Sequence, residues 1–296
     1  MSYSLNKFFK AIGSTRQVFH VKLSRYMQRE EEMGQLSLIV TQVRKDHPGM
    51  ALRDLYQVIQ PATIGRDRFE QYFKQLGYGV AIKRSFRKTT DSSGVIRFAN
   101  LIEGKKLTGV NQVWVSDITY YRIKEKFYYL TFIMDLYSRR IVGHSCSRTL
   151  LTTHTTLAAL RASLKTRNTN QMPGLIIHSD GGGQYYSSEF RKLTKDAKMV
   201  NSMGKTAYEN PHAERVNGII KNNYIKHYGP ANFEQLSKMT NKAVLMYNRE
   251  KPHRALNKLS PVQFENLINK EKEAKKEKIT FTINSLTNNL KVVSTI

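Results

Sequence analysis

The segment Val-Trp-Val-Ser-Asp-Ile-Thr-Tyr-Tyr (113–121) decides the interpretation of the fold. Its β-branched and aromatic residues predict a β-strand. Asp117 is an acid in an otherwise apolar run, and strand alternation places it on the same face as Val113 and Val115. An ionised carboxylate on a packed face is costly unless it is paired or binds a metal. A salt bridge to one of the many lysines or arginines is the alternative explanation.

The segments that follow predict the rest of a sheet and its helices. The predicted elements are strands over 113–121, 127–135 and 140–147, a helix over 152–167, a strand over 174–179, a helix from about 188, a strand over 199–202 and a helix from 211. The first three strands are joined by short polar gaps, which favours an antiparallel meander. The continuous apolar run 174–179 is typical of a strand buried on both faces. This β-β-β-α-β-α-β-α order is similar to that of a ribonuclease-H-like domain, an α/β fold.

Two further acids fall where ligand sites form. Asp180 ends the apolar run and precedes three glycines, and the carboxyl ends of strands are common ligand sites in α/β sheets. Turn formation is its alternative role. Glu214 lies in the first turn of the last helix, where an acid also interacts favourably with the helix dipole. Three carboxylates suit two divalent cations, which activate an attacking oxygen and stabilise a leaving one.

The helix from Pro211 carries more than the glutamate. Glu214, Asn217 and Lys221 are spaced to share one helix face, so the lysine is expected near a bound phosphate, with a solvated surface lysine as the alternative. A neighbouring apolar face is expected to pack on the core: Ala213, Val216, Ile220 and Tyr224. Asn210 is expected to cap the helix.

Residues 1–80 predict a helical DNA-binding region. Apolar residues recur at helical spacing up to a break at 47–49. Two short helices, at 51–60 and about 65–76, predict a helix-turn-helix over about 49–78, with Arg66 and Arg68 available to DNA. A three-helix bundle without a DNA role is the alternative. A further small helical unit is expected around 11–20.

The remaining boundaries follow from composition. Residues 81–110 are expected to form a basic linker, which is either solvated or follows a phosphate backbone. Its cations are Lys83, Arg84, Arg87 and Lys88. The catalytic core is expected over 111–225 and its completing helices over 226–268. Residues 269–296 are expected to form a charged helix and a tail.

The net charge of the chain favours a nucleic-acid partner. Its 296 residues hold 48 Lys and Arg against 23 Asp and Glu, a formal charge of +25. Such an excess fits a polyanion, because neutralising phosphates releases counterions. A ribosome-associated or merely soluble basic protein is the alternative, and a membrane surface is disfavoured.

Cysteine and histidine usage excludes several kinds of site. The single cysteine, Cys146, excludes an internal disulfide and a multi-cysteine zinc site. The eight histidines show no zinc-finger spacing. We find neither a signal-peptide pattern nor an apolar run of about 18 residues, so a cytoplasmic protein is expected, associated with the nucleoid when bound to DNA.

Several motifs in order identify the family that the chain resembles. W-V-S-D-I-T-Y (114–120), H-S-D-G-G-G-Q-Y-Y-S-S-E-F (178–190) and Y-E-N-P-H-A-E-R-V-N-G-I-I-K (208–221) resemble the integrase-core motifs of bacterial insertion-sequence transposases. These belong to the retroviral-integrase-like DDE superfamily. Y-N-R-E-K-P-H-R-A-L (247–256) and S-P-V-Q-F-E (260–265) resemble the end of such cores. H-P-G-M-A-L-R-D-L-Y (47–56) and I-G-R-D-R-F (64–69) resemble the preceding helix-turn-helix.

The resemblance implies a DNA transposase that cuts insertion-sequence ends and transfers the strands to target DNA. Asp117, Asp180 and Glu214 would be both the catalytic residues and the ligands of two Mg²⁺ or Mn²⁺ ions. The implied DNA contacts in and after the core are Lys221, Asn217, Arg215, Gln184, Tyr185, Lys205, His253 and Arg254.

The implied partners are double-stranded DNA, further copies of the chain and an upstream-encoded protein. One departure stands out: 33 residues (181–213) separate the second and third acids, slightly fewer than is usual. The missing residues fall in the loop before the last helix. A ribonuclease-H-like nuclease and a non-catalytic transposase-derived regulator are the rival interpretations.

Overall fold

The computed structural model describes residues 5–80, 98–204, 210–271 and 273. They fall in two compact units, one within 1–81 and the other within 82–296. Several predicted features lie outside the described residues: the linker cations Lys83, Arg84, Arg87 and Lys88, then Lys205, and the tail beyond 273.

The first unit is helical. Its helices are α1 (Leu5–Ala11), α2 (Arg16–Asp46), α3 (Leu52–Ile59) and α4 (Arg66–Gln75). The stretch 11–20 is not a unit of its own, because α2 begins inside it and continues for 31 residues. Thr15 caps that start by accepting a hydrogen bond from the backbone N–H of Val18 at 3.2 Å.

The core of this unit lies between the second half of α2 and the two short helices. Leu36 and Val40 of α2 are buried together with Leu55, Phe69 and Phe73. The helix ends at Asp46, so the break that the sequence predicts at 47–49 is confirmed. The two helices that follow agree within a residue or two with the predicted pair.

The second unit contains the sheet. Its strands are β1 (Val113–Ile123), β2 (Lys126–Asp135), β3 (Ile141–Ser147), β4 (Ile176–Ser179) and β5 (Val200–Met203). Their order is β3-β2-β1-β4-β5. The β1–β2 and β2–β3 pairs are antiparallel, whereas β4 is parallel to both β1 and β5. The predicted mixed five-stranded, ribonuclease-H-like sheet is confirmed.

Helices accompany the sheet in the predicted order. They are α5 (Thr156–Thr166) after a 3₁₀ turn (Thr152–His154), α6 (Ser188–Asp196) after a 3₁₀ turn (Gly183–Tyr185), and α7 (Pro211–Ile219). The last continues through a π-helical segment (Ile220–Ile225) into α8 (Lys226–Tyr228). Then come α9 (Phe233–Arg249), a 3₁₀ turn (Arg254–Leu256) and α10 over 261–271.

The alternation of β1 sorts these helices into two layers. Val113 and Val115 pack in a cluster with residues of α7 and α9. Trp114 points the other way, into a cluster with residues of α5 and α6. A Cβ at Gly143 would lie 2.0 Å from Ser163 Oγ, so this glycine allows α5 to approach β3 closely. The sheet is therefore covered on both faces.

A buried ion-pair network attaches α10 to the sheet unit. The carboxylate of Glu265 accepts hydrogen bonds from Arg167 at 2.7 and 2.8 Å and from Arg140 at 2.6 Å. Ser138 donates a further one at 2.7 Å. These contacts join α10 to the end of α5 and to the β2–β3 turn. The pKa of Glu265 is lowered, since these hydrogen bonds and charges outweigh its burial.

No helix in the described part of the chain is both long and apolar enough to cross a membrane.

Candidate active site

Asp117 lies in the middle of β1, opposite Phe132 of β2. It is half-buried and its Oδ2 accepts a hydrogen bond from Asn217 Nδ2 at 2.7 Å. Burial, followed by repulsion from Asp180 and Glu214, raises the pKa of Asp117 to about 7, against the hydrogen bond from Asn217. The salt-bridge alternative is wrong within the described residues, where no lysine or arginine pairs with Asp117.

Asp180 directly follows β4, the strand next to β1. The parallel pairing of Val115 with His178 brings Asp180 to the level of Asp117. Its Oδ1 accepts a hydrogen bond from the backbone N–H of Gly182 at 3.1 Å. This hydrogen bond forms the turn that was the alternative role of Asp180. Asp180 therefore both forms a turn and lies beside Asp117. Burial raises the pKa of Asp180.

Glu214 lies in the first turn of α7 and its side chain is exposed. Its pKa is raised by partial desolvation and then by the charge of Asp180. The three acids are thus close enough to repel one another. In the described parts of the chain, however, no three His, Cys, Asp or Glu side chains are already arranged to hold one metal ion.

The chemistry of this donor set fits a hard divalent cation. All three side chains offer carboxylate oxygens, the ligands that Mg²⁺ prefers. The raised pKa of Asp117 shows that the charge of the protein itself does not compensate its ionised form. A cation held by the three acids would supply that compensation.

Helix α7 is anchored on β1 by its predicted apolar face. Ala213, Val216, Ile220 and Tyr224 are all buried. The predicted cap is wrong, because the side chain of Asn210 makes no capping hydrogen bond. Its Nδ2 donates to the carbonyl of Ser116 at 2.9 Å instead. The cap residue therefore attaches the start of α7 to the strand that carries Asp117.

Lys221 also faces β1. Its Nζ donates to Thr119 Oγ1 at 3.0 Å and lies 5.4 Å from the centroid of the Tyr120 ring. Burial and the charge of Lys226 lower the pKa of Lys221, while Asp117 opposes this shift. Lys221 is therefore beside the carboxylates, as the helix spacing predicts, and is held against the sheet rather than solvated.

Three of the expected DNA contacts are buried or neutral. Asn217 is 5% exposed and is engaged with Asp117. Tyr185 is 2% exposed and its hydroxyl is 2.8 Å from Ser116 Oγ. His253 packs edge-on against Tyr247, and desolvation, followed by nearby cations, lowers its pKa to about 3. None of the three offers a charge to a phosphate in this structure, and their contact with DNA stays a prediction.

The other expected contacts remain open to solvent or partly so. Arg66, Arg68, Arg215 and Arg254 are exposed, and Gln184 is half-buried. Arg66 pairs with Asp67 at 2.7 Å and with Glu70 at 3.6 Å. Gln184 donates to the carbonyl of Leu150 at 3.3 Å.

Sequence reasoning did not single out three further residues of this region: Arg139, His212 and Thr119. Arg139 Nη1 lies 3.0 Å from His212 Nδ1, and Thr119 holds Lys221. The first pair is separated by 73 residues along the chain, so spacing could not reveal it. Thr119 lies on the same strand face as Asp117, a signal that alternation does provide.

The comparisons with known proteins agree with this geometry. The family model of the integrase core domain matches residues 108–208, and a second integrase-core model matches 195–261. The insertion element IS600 31 kDa protein of Shigella sonnei is 33% identical over 206 residues, 68% of this chain and 75% of that protein. Transposase InsF for insertion sequence IS3A of Escherichia coli is 32% identical over 169 residues, 54% of this chain and 55% of that protein.

A solved structure is similar as well. The HTLV-2 integrase catalytic core domain in complex with magnesium shares 25% identity and covers 52% of this chain and 96% of that one, with a TM-score of 0.43. The identity with the IS600 relative extends over two thirds of this chain, which shows that the two proteins are related. The two integrase-core matches include all five strands and the three carboxylates. The chain belongs to the family of bacterial insertion-sequence transposases with a retroviral-integrase-like core.

Proposed function

We propose that this transposase cuts DNA at the ends of its insertion sequence and joins the freed strands to target DNA. The observation that carries the proposal is the convergence of Asp117, Asp180 and Glu214, with the pKa of Asp117 raised to about 7. Carboxylates with strongly perturbed pKa values cluster at functional sites.

The carboxylates of these three residues would hold two divalent cations, Mg²⁺ or Mn²⁺. When bound, such ions activate the attacking oxygen and stabilise the charge on the leaving oxygen. Asp117 and Asp180 are placed by adjacent parallel strands, whereas Glu214 is carried by α7. The shorter spacing between the second and third acids lies after Asp180 in the chain, so it does not enter the pairing of β1 with β4 that places the two aspartates.

The reaction has two displacements at phosphorus. Water attacks the phosphodiester at the element end, which breaks the bond to the 3′-oxygen and leaves a 3′-hydroxyl. That hydroxyl then attacks a target phosphodiester, and its P–O bond forms as the target strand's P–O bond breaks. The protein contributes mainly positioning and charge neutralisation.

Two side chains support this chemistry, one on α7 and one on the π-helical segment that continues it. Asn217 orients Asp117 through its 2.7 Å hydrogen bond. Lys221 needs to leave only Thr119 and Tyr120 to reach a phosphate beside the carboxylates. A cation there would neutralise charge that develops on the phosphate.

The N-terminal unit would recognise the terminal repeats of the element. Phe69 and Phe73 bury one face of α4, so Arg66 and Arg68 lie on its exposed surface. A helix presented in this way can enter a major groove. Residues 1–90 alone should then bind terminal-repeat DNA in preference to random DNA, and equal binding of both would contradict this role.

Partners follow from the reaction. Two element ends must be joined, so two or more copies of the chain on double-stranded DNA are proposed, with an upstream-encoded partner protein as a further candidate. A pull-down of the chain with end-sequence duplexes would give the stoichiometry.

A cleavage assay tests the function itself. Duplexes that carry the ends of the parent element are incubated with the chain, with and without Mg²⁺. The proposal expects Mg²⁺-dependent nicks at the element ends and joined products. A purely regulatory protein would bind these duplexes without cutting them, and a ribonuclease would cut an RNA strand instead.

A further inference from the structure

A cluster of basic side chains lies on the other side of the carboxylates from Lys221. It consists of Arg139, His212, Arg215 and Lys251, and is called here the Arg139 cluster. Its members come from the β2–β3 turn, the first half of α7 and the segment after α9. Arg139 Nη1 is 3.0 Å from His212 Nδ1. Because a guanidinium only donates, His212 Nδ1 accepts, and the proton of the neutral ring is on Nε2.

Two of its charges, the guanidinium groups of Arg139 and Arg215, form no salt bridge with a carboxylate in the part of the chain that the structure describes. The carboxylate near Arg139 belongs to Asp135, which already accepts hydrogen bonds from the backbone N–H groups of Asn111 at 2.6 Å and Ser138 at 2.9 Å.

The cations are close enough to repel one another. Burial lowers the pKa of Arg139 and the charge of Arg215 lowers it further, while Tyr247 and Asp135 oppose this shift. Burial also lowers the pKa of His253, and the charges of Lys251, Arg139 and Arg215 add to that shift. Neighbouring like charges of this kind destabilise a protein unless an anion lies between them.

The backbone at Arg139 is strained. Its φ is 61°, a left-handed conformation that few residues other than glycine adopt. The turn is closed by a 2.8 Å hydrogen bond from the N–H of Arg139 to the carbonyl of Asp135. Such strain persists where the surrounding structure fixes it and is common at ligand sites. A glycine would relieve the strain but would carry no guanidinium.

The position of the cluster relates it to the carboxylates. His212 precedes Glu214 by two residues and Lys221 follows it by seven. At about 1.5 Å per residue, His212 and Lys221 are roughly 13.5 Å apart along the helix axis. The helix that begins at Pro211 and continues through the π-helical segment therefore carries basic side chains before and after Glu214, and a DNA strand that crosses the carboxylates would meet both.

We propose that the Arg139 cluster binds a backbone phosphate of the DNA on the side of the carboxylates opposite Lys221. The inference rests on the proposed function, since it takes the carboxylates as the cutting site. Two guanidinium groups and an ammonium group offer charged donors to the phosphate oxygens. Each guanidinium can donate two parallel hydrogen bonds to one phosphate. The His212 Nε2–H is a neutral donor. No base contact is involved, so the site is indifferent to sequence.

The salt dependence of DNA binding tests the proposal. The full chain is titrated with a short random-sequence duplex in EDTA at several salt concentrations. The slope of log Kobs against log salt should fall in magnitude by about 1 in the double variant Arg139→Gln/Arg215→Gln, as expected for one lost phosphate contact. Arg215→Lys, which keeps the charge, should retain the slope.

Lys126→Gln is the matched control. Lys126 is exposed and pairs with Ile123 at the far end of the hairpin in which Trp114 pairs with Asp135. Nine residues at about 3.3 Å each place it roughly 30 Å from the cluster. Its slope should match that of the unaltered chain. An unchanged slope in the double variant, or an equal change in Lys126→Gln, would overturn the proposal.

Two precautions keep the outcome interpretable. If Arg139→Gln unfolds the turn, Arg215→Gln/Lys251→Gln carries the same prediction with Arg139 intact. The measurement contains no metal and involves no cleavage. An unchanged salt slope would therefore contradict the phosphate site alone, whereas the absence of cleavage in the end-cleavage assay would contradict the proposed function.

Discussion

Asn217 Nδ2 donates a 2.7 Å hydrogen bond to Asp117 Oδ2. Within the described residues the other end of this amide, Oδ1, is buried and has no hydrogen-bond partner. A buried oxygen without a hydrogen bond lowers the stability of the folded protein. The hydrogen bond from the same amide to the Asp117 carboxylate offsets this loss. Asn217 joins the helix that carries Glu214 to the strand that carries Asp117.

Asn217→Ala should therefore slow Mg²⁺-dependent cleavage about tenfold, consistent with a net loss of about 1.4 kcal/mol. Without this hydrogen bond to its ionised form, the pKa of Asp117 should rise further, so the pH–rate profile should move to higher pH. Asn222→Ala, at an exposed position on the same helix, should behave like the unaltered chain. A profile that does not move would reduce Asn217 to a packing residue.

The stability of the metal-free chain should depend on Asp117. Its folded pKa of about 7 lies above the usual unfolded value of about 3.9. The folded state therefore holds this proton more tightly, and the resulting stability is fully present below pH 4 and is lost as pH rises through about 7.

In EDTA, the difference in Tm between Asp117→Asn and the unaltered chain should grow in favour of the variant from pH 5 to pH 8. Taking the difference cancels the opposite contribution of His253, whose pKa is lowered to about 3 in the folded protein and whose stabilisation is therefore lost as pH falls below its unfolded value. Equal pH dependence of the two proteins would show that Asp117 is not perturbed. Added Mg²⁺ should raise the Tm of the unaltered chain more than that of the variant.

Lys221→Ala should slow both cleavage and strand transfer while sparing the fold and terminal-repeat recognition. A crosslinking experiment locates the contact. Lys221→Cys in a Cys146→Ser background, treated with thiol-modified DNA, should crosslink near the cut end. The background change removes a thiol whose burial raises its pKa to about 12. Crosslinks scattered along the duplex would instead indicate that Lys221 is a solvated surface lysine.

Glu265 should be required for the stability of the catalytic unit. Glu265→Ala leaves Arg167 and Arg140 without their shared carboxylate, so unfolding should become easier by about 3–5 kcal/mol. Because the pKa of Glu265 is lowered, its contribution should also disappear as pH falls through that lowered value. Denaturant unfolding of the full chain measures both effects. Glu271→Ala, at an exposed position on the same helix, is the control.

The strands and acids of this fold could be predicted because the signals are local. Period-two alternation fixes the faces of β1, so Asp117 was placed on the same face as Val113 and Val115. Asp180 was assigned from its place at the end of an apolar run. Helical spacing likewise placed Lys221 and the buried face of α7.

The errors concern contacts between distant segments. Asn210 has the sequence position of a cap, but its amide finds Ser116 on another element. Tyr185, which the family resemblance offers as a DNA contact, is buried in a cluster with residues of α5 and α6, and sequence patterns did not indicate this burial. The charge of His253 is suppressed by its surroundings, which include cations that lie far from it in sequence. Pattern and propensity carry no information about such pairs.

The central claim is that Asp117, Asp180 and Glu214 together form the cutting site. The most direct measurement is Mg²⁺-dependent nicking of duplexes with the element's own ends by Asp117→Asn, Asp180→Asn and Glu214→Gln, each checked for DNA binding in EDTA. Each change removes a metal ligand without adding bulk, so all three variants should bind DNA nearly as the unaltered chain does and give no detectable nicks or joined products. Near-normal nicking by any one of them would contradict the assignment of that residue and the three-carboxylate site with it.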